Sequence, residues 1–120
     1  MEGGLEVKCT STVFYVKFPD GSKAYLRYRV EGDRMELIET YTPPQHRGKG
    51  VARRLVEKAV EVAKERGLKI VPICSYSVYY FMKNPGEREV LAEPYRSMSD
   101  DELRKYFEER KRAEEAKGQS

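Results

Sequence analysis

The sequence predicts an α/β protein, and three observations lead there. Residues 12–42 read as three strands separated by turn signals, and residues 51–66 carry an apolar stripe at helical spacing. Residues 68–76 form a short, nearly all-apolar strand, the kind expected inside a sheet or beside a parallel neighbour. Strand, helix, strand in that order implies a right-handed parallel crossover.

The first strand runs from Thr12 to Phe18, rich in β-branched and aromatic residues, and "PDG" at 19–21 turns it. The second, "AYLRYRVEG", alternates Tyr25, Arg27 and Arg29 with Leu26, Tyr28 and Val30, giving one charged and one apolar face. "EGDR" leads into the third, "MELIETYT", which stops at Pro43 and Pro44 because neither can donate to a ladder. Val51, Ala52, Leu55, Val56, Ala59, Val60 and Ala63 then form the buried stripe of a helix with Gly67 as its C-cap. After "LKIVPICSY", a short aromatic helix in "SVYYFMKNPG" has Ser75 or Ser77 as N-cap and ends at Pro85 and Gly86. Ser99 and Glu102 have capping-box spacing for a last helix. Its Leu103, Tyr106 and Phe107 are apolar, and beyond Glu108 its nearly all-charged end reads as solvated or frayed.

A chain of 120 residues fits one ordinary core. We expect residues 1–96 to form the functional domain and residues 97–120 a charged helical extension. The formal charge of +3 is small and no uninterrupted basic block occurs, which argues against a nucleic-acid footprint; Arg47, Lys49, Arg53 and Arg54 form one local basic spot. Cys9 and Cys74 are too few for a disulfide framework or a four-thiolate zinc site, and His46, the only histidine, implies no metal site. No window approaches the ~18 apolar residues of a membrane span, so a cytoplasmic protein is expected.

Between the third strand and the first helix lies "TPPQHRGKG", with Gln45, Arg47, Gly48, Lys49 and Gly50. N–H groups that open a helix lack intrahelical partners and carry the positive end of the macrodipole. Glycines let a bulky anion approach them, and Arg47 and Lys49 add charge, so a diphosphate is the simplest ligand. The spacing fits neither a P-loop nor a dinucleotide fingerprint.

The loop resembles the acetyl-CoA loop of the GNAT superfamily of N-acetyltransferases: Gln or Arg, two residues, Gly, one residue, then Gly or Ala, met here by Gln45, Gly48 and Gly50. "IETYTPPQHRGKGVARRLVEKAV" followed by "KIVPICSYSVYYFMKNP" resembles a small, stripped-down subfamily that pairs the loop with a cysteine at a strand end, over residues 12–88. The resemblance implies a GNAT-like acyl-CoA N-acyltransferase fold in minimal version, a mixed sheet splayed between the third strand and "KIVPIC". Acetyl-CoA would lie in the gap as acyl donor. Its diphosphate would rest on the N–H groups of Arg47 to Ala52, including Val51, and its pantetheine arm would pair like a strand near Tyr41 and Thr42.

Acetyl transfer to an amine needs a base, donors for the oxyanion and an acid for the thiolate. Alternation puts Glu39 on one side of its strand with Met35, Leu37 and Tyr41, a setting that raises a carboxyl pKa and suits a base; the alternative is an edge carboxylate paired with Arg27. The subfamily usually has histidine there. Cys74 opens a helix, where the dipole lowers a thiol pKa and exposes sulfur; it reads as nucleophile, as polar wall beside direct attack, or as a small buried hydrophobe. Tyr80 matches the subfamily's tyrosine and reads as the thiolate's acid or as packing, with Tyr76 one turn before it. Asn84 stands where relatives often carry histidine, and His46 is expected to face solvent.

The leading expectation is thus an N-acetyltransferase acting on an unknown amine, with no metal. A CoA-binding sensor or subunit is the alternative, and nucleic-acid binding through the basic spot a third reading. With the early strands joined by a tight turn, the acceptor site is shallow, supplied by a partner, or completed by residues 97–120. Tyr95, Tyr106 and Phe107 suggest a homodimer surface.

Overall fold

The computed structural model describes residues 6–118. Five strands lie in sequential order in one sheet: β1 (Lys8–Cys9), β2 (Val13–Lys17), β3 (Lys23–Glu31), β4 (Arg34–Tyr41) and β5 (Lys69–Pro72). β1 to β4 are antiparallel neighbours and β5 joins β4 in parallel, across helix α1 (Val51–Arg66). This is the mixed sheet expected. Helix α2 (Ser75–Lys83) follows β5 after two residues, and helix α3 (Asp100–Gly118) closes the described chain.

The apolar halves of the strands explain the core. Phe14, Val16, Ala24, Leu26, Tyr28, Met35 and Leu37 are all buried on one sheet face, and of the predicted α1 stripe Val51, Leu55, Val56, Ala59, Val60 and Ala63 are buried against it while Ala52 is only half-buried. The opposite face keeps Lys23, Arg27 and Arg29 in solvent. Gly67, with φ +68°, donates its N–H to the Ala63 and Lys64 carbonyls and ends α1 as its composition predicts.

Alternation holds along β3 and fails once along β4. Tyr28 pairs with Leu37, but the next residue back, Arg27, pairs with Glu39, so Ile38 is an extra residue. Such a β-bulge reverses which face later side chains take. Thr40 therefore lies opposite buried Leu26 on the core side, and Glu39 lies opposite Arg27 on the charged side. Glu39 shares a face with Tyr41 but not with Met35 and Leu37, which corrects the expectation drawn from strict alternation.

Three further expectations change. The strand after α1 stops at Pro72 instead of running to residue 76, and α2 begins at Ser75 with Cys74 as its N-cap. Neither serine caps it through its own side chain: Glu114 of α3 does so, accepting from the Ser75 N–H at 2.7 Å and hydroxyl at 2.6 Å. A carboxylate is well suited there because the first N–H groups of a helix are unpaired and carry partial positive charge. The charged end of α3 is solvated as expected, with residues 111–117 exposed, but it stays helical and is tied to α2 through Glu114.

At its start α3 has the predicted capping box: Glu102 N–H donates to Ser99 Oγ at 3.1 Å and Ser99 N–H to Glu102 Oε1 at 2.9 Å. Leu103 is fully buried in the common core. Tyr95 and Tyr106 pack together at 5.1 Å, and Phe107 lies 6.0 Å from Tyr79, so these rings, expected at a dimer surface, make their contacts within the chain. Arg88 holds α2 to α3, donating from Nε to the Phe81 carbonyl at 2.7 Å and from Nη1 to Asp100 at 2.8 Å. Among the described residues, no helix is long and apolar enough to cross a membrane.

Because Leu103 is wholly enclosed, truncation to alanine leaves a cavity as well as losing transfer energy. We expect Leu103→Ala to reduce unfolding free energy by about 2–5 kcal/mol in urea titrations, in one cooperative transition. A loss below about 0.5 kcal/mol, or α3 melting ahead of the sheet, would show that α3 merely rests on the surface.

Candidate active site

The site begins where β4 and β5 part. Their pairing ends at Leu37 opposite Pro72, and the next two N–H groups, Ile73 and Cys74, both donate to the Leu37 carbonyl, at 3.0 and 2.9 Å. β4 continues to Tyr41 beside β3 while the chain after Pro72 turns into α2. The β4 edge from Ile38 to Tyr41 thus has no strand neighbour on that side among the described residues. This is the predicted splay.

One cavity of about 420 Å³ opens beside the loop and the start of α1. Tyr41, Thr42, Arg47, Gly48, Gly50, Val51 and Ala52, all expected here, line it. Gly48 and Gly50 have φ of +80° and +76°, the left-handed region that costs other L-residues about 1–2 kcal/mol. A Cβ at either would meet nothing within 4 Å, so the glycines serve backbone torsion and leave open space over the loop. The first N–H with an intrahelical partner is Arg54, bonded to the Gly50 carbonyl at 3.2 Å, so the N–H groups from Gly48 to Arg53 are available to an anion, whereas that of Arg47, expected among them, donates to the Pro44 carbonyl at 3.3 Å. Arg47 is braced by an Nε bond to the Thr42 carbonyl at 2.9 Å.

Gln45 and Lys49 lie outside that lining. Gln45 Nε2 donates to Asp20 Oδ2 at 3.3 Å, joining the loop to the β2–β3 turn. His46 does line the cavity, against the expectation that it faces solvent: it stacks on Phe18 with centroids 3.6 Å apart, and its Nε2 is 2.9 Å from Asp20 Oδ2. Asp20 anchors both. The Ser22 hydroxyl and N–H, then His46 and Gln45, hold its carboxyl well below the usual carboxylate range.

A second cavity, about 660 Å³, lies beyond the splay between the charged side of β4 and the end of α3. Thr40 lines both cavities, and Glu39, Cys74, Arg110 and Glu114 line the second. The two spaces therefore share one wall residue, at the bulged end of β4. Glu39 accepts from Arg27 Nη2 at 2.8 Å with both side chains about half exposed, the ion-pair alternative foreseen for it; such a pair contributes only about 0–1 kcal/mol.

Cys74 is 2% exposed, which corrects the expectation of an exposed sulfur. Burial pushes its thiol pKa up, although bonds from Ser77 and Thr40 oppose that. Thr40 Oγ1 lies 4.0 Å from the sulfur and the Ser77 hydroxyl donates to the Cys74 carbonyl at 2.6 Å. The dipole of one short helix does not outweigh the desolvation of a thiolate. Tyr80 is 5% exposed, packs edge-on against Phe81 and lines neither cavity. Tyr76, one turn earlier, lines the loop cavity instead, and burial raises its pKa so that the phenol stays protonated at neutral pH. Asn84 caps α2, its Nδ2 donating to the Tyr80 carbonyl at 2.8 Å.

The family model for GCN5-related N-acetyl-transferases matches residues 13–90. The chain belongs to that family. It is also similar to a GCN5-like protein of Staphylococcus aureus, solved by NMR, for which N-acetyltransferase activity is proposed: identity is 27%, TM-score 0.61, and the match covers 75% of this chain and 90% of that one. The family's matched span holds the loop, the splay and α2, but ends before α3. Arg110 and Glu114, which the sequence did not single out because an exposed helix face gives no periodic signal for its distant contacts, come from outside it.

The burial of one cysteine and exposure of the other give a direct check. Iodoacetamide at pH 7.5 should label exposed Cys9 and spare Cys74, whose labelling should rise only above the ordinary thiol range. Equal rates at neutral pH would mean that Cys74 is an accessible thiolate.

Proposed function

We infer that the protein transfers acetyl from acetyl-CoA to an amine by direct attack. One observation carries this: an anion-ready loop cavity and a second cavity lie on either side of Thr40 at an unpaired strand edge, as a donor and an acceptor approaching from two sides require. Acetyl-CoA, when bound, supplies the activated acetyl thioester. The N–H groups from Gly48 to Arg53 suit its diphosphate, and Arg47 adds a braced cation. The free edge of β4 near Tyr41 and Thr42 suits the amides of the pantetheine arm. Room above both glycines supports the fit.

Chain groups then divide the proton transfers. Glu39, on the wall of the acceptor cavity, takes the proton the amine nitrogen loses as its bond to the acetyl carbon forms. Unpaired N–H groups of the β4 edge offer hydrogen bonds to the carbonyl oxygen as charge gathers on it. The carbon–sulfur bond breaks, and Tyr76, protonated and on the cofactor side, donates to the leaving thiolate; this reassigns the role expected of Tyr80. Cys74 serves as a buried wall beside Thr40, and its raised pKa weighs against an acetyl-cysteine route.

A ligand bound only by the folded state stabilises it by mass action, about 2.7 kcal/mol at a hundredfold excess over Kd. Acetyl-CoA and CoA should raise Tm and ATP should not. Glu39→Gln and Tyr76→Phe should each slow amine-dependent CoA release by about 10–100-fold while keeping that shift. Full rates in both variants would remove the proposed proton transfers, and a shift without any CoA release from the wild type would favour a CoA-binding sensor.

A further inference from the structure

Where β5 leaves the sheet, several backbone groups of residues 72–75 lose strand partners, and α3 supplies them. Tyr106 donates its hydroxyl to the Pro72 carbonyl at 2.8 Å, Arg110 Nε donates to the Ile73 carbonyl at 2.6 Å, and Glu114 accepts both donors of Ser75. These residues lie one helical turn apart, Tyr106, Arg110 and Glu114, so a single face of α3 runs along the open side of the cleft. The same face supplies Arg110, Ala113, Glu114 and Lys117 to the wall of the second cavity.

The charges of that wall are unequal in kind. Its carboxylates are already engaged, Glu39 by Arg27 and Glu114 by the amide and hydroxyl of Ser75. Of its arginines, Arg27 is paired with Glu39, whereas Arg110 makes no ion pair among the described residues. Arg110 is fixed by the bond from Nε, which leaves the fork of its terminal nitrogens, a geometry that matches carboxylate or phosphate oxygens. Arg27 engages only Oε1 of Glu39, which leaves Oε2 for the reacting nitrogen, but a polyamine would need a further carboxylate for its second ammonium, and both oxygens of Glu114 are held by Ser75.

We propose that α3 forms the acceptor-selecting wall of the site and that Arg110 recognises an anionic group on the acceptor. The substrate class is a small primary amine that carries a carboxylate or a phosphate a few atoms from its nitrogen. The proposal rests on the acetyltransferase reading of the preceding subsection and adds a specificity that the family's matched residues do not contain. Arg110 acts here by binding and by holding the Ile73 carbonyl, and it takes no part in proton transfer.

The test is a matched series of acceptors assayed by CoA thiol release on the full chain: propylamine, 3-aminopropanoate, O-phosphoethanolamine and 1,3-diaminopropane. The anionic amines should exceed propylamine and the diamine in kcat/KM by about tenfold or more, as one charge-assisted contact provides. Whichever of the carboxylate and phosphate is faster identifies the source of the anion. Arg110→Gln should bring the ratio of anionic to neutral amine to about one, mainly through KM, while acetyl-CoA still raises Tm as in the wild type. A wild-type preference for propylamine or the diamine, or an unchanged ratio in Arg110→Gln, would overturn the proposal and leave the acetyltransferase reading intact. Absence of an acetyl-CoA shift in the wild type would overturn both. Because the acceptor series is run on wild-type protein, it decides the matter even if the variant folds poorly.

Discussion

Two N–H groups, from Ile73 and Cys74, converge on the Leu37 carbonyl, and past that point β4 and β5 no longer pair. Unpaired backbone polar groups near a core are costly, so a sheet opens in its middle only when something else satisfies them. Here the donors and acceptors on the β5 side are met by Tyr106, Arg110 and Glu114 of α3. Those on the β4 side remain as an edge at the junction of two cavities. The opening, the position of α2 and the docking of α3 all follow from that one parting of strands.

The bulge at Ile38 is the second constraint. By inserting one residue beside Arg27 it turns Thr40 toward the core and Cys74 and sends Glu39 to the charged face, where it lines the second cavity beside Arg27. Without it, Glu39 would project among the packed side chains under α1 and Thr40 would face solvent. A one-residue slip therefore decides which carboxylate lines that cavity. It also sets the Thr40 hydroxyl 4.0 Å from the Cys74 sulfur, a thiol whose pKa burial raises.

Much of this was readable in residues 12–67. Alternation in "AYLRYRV", the stripe from Val51 to Ala63 and the glycine after it are local patterns, and the structure has each where its period predicts. The loop was readable too, because Gly48 and Gly50 are needed by torsion at their own positions. Less readable were Gln45 and His46, whose common partner Asp20 lies more than twenty residues earlier. Tyr76 and Tyr80 occupy the same side of a nine-residue helix, and only packing separates the one that meets the cavity from the one enclosed by Phe81.

By itself, the chain's order of residues determined the strands of the hairpins, the crossover helix, the strained glycine loop and the capping box at Ser99, because each depends on neighbours within a few positions. Tertiary structure decided the bulge, the burial of Cys74, the use of Glu114 as the cap of α2 and the wall that α3 gives the second cavity. Those depend on groups brought together from 12 to 39 positions apart, such as Arg27 with Glu39 and Ser75 with Glu114. A periodic pattern records which face of a helix or strand prefers to be buried, but the partner that face meets is set only when the strands part and α3 closes on the gap.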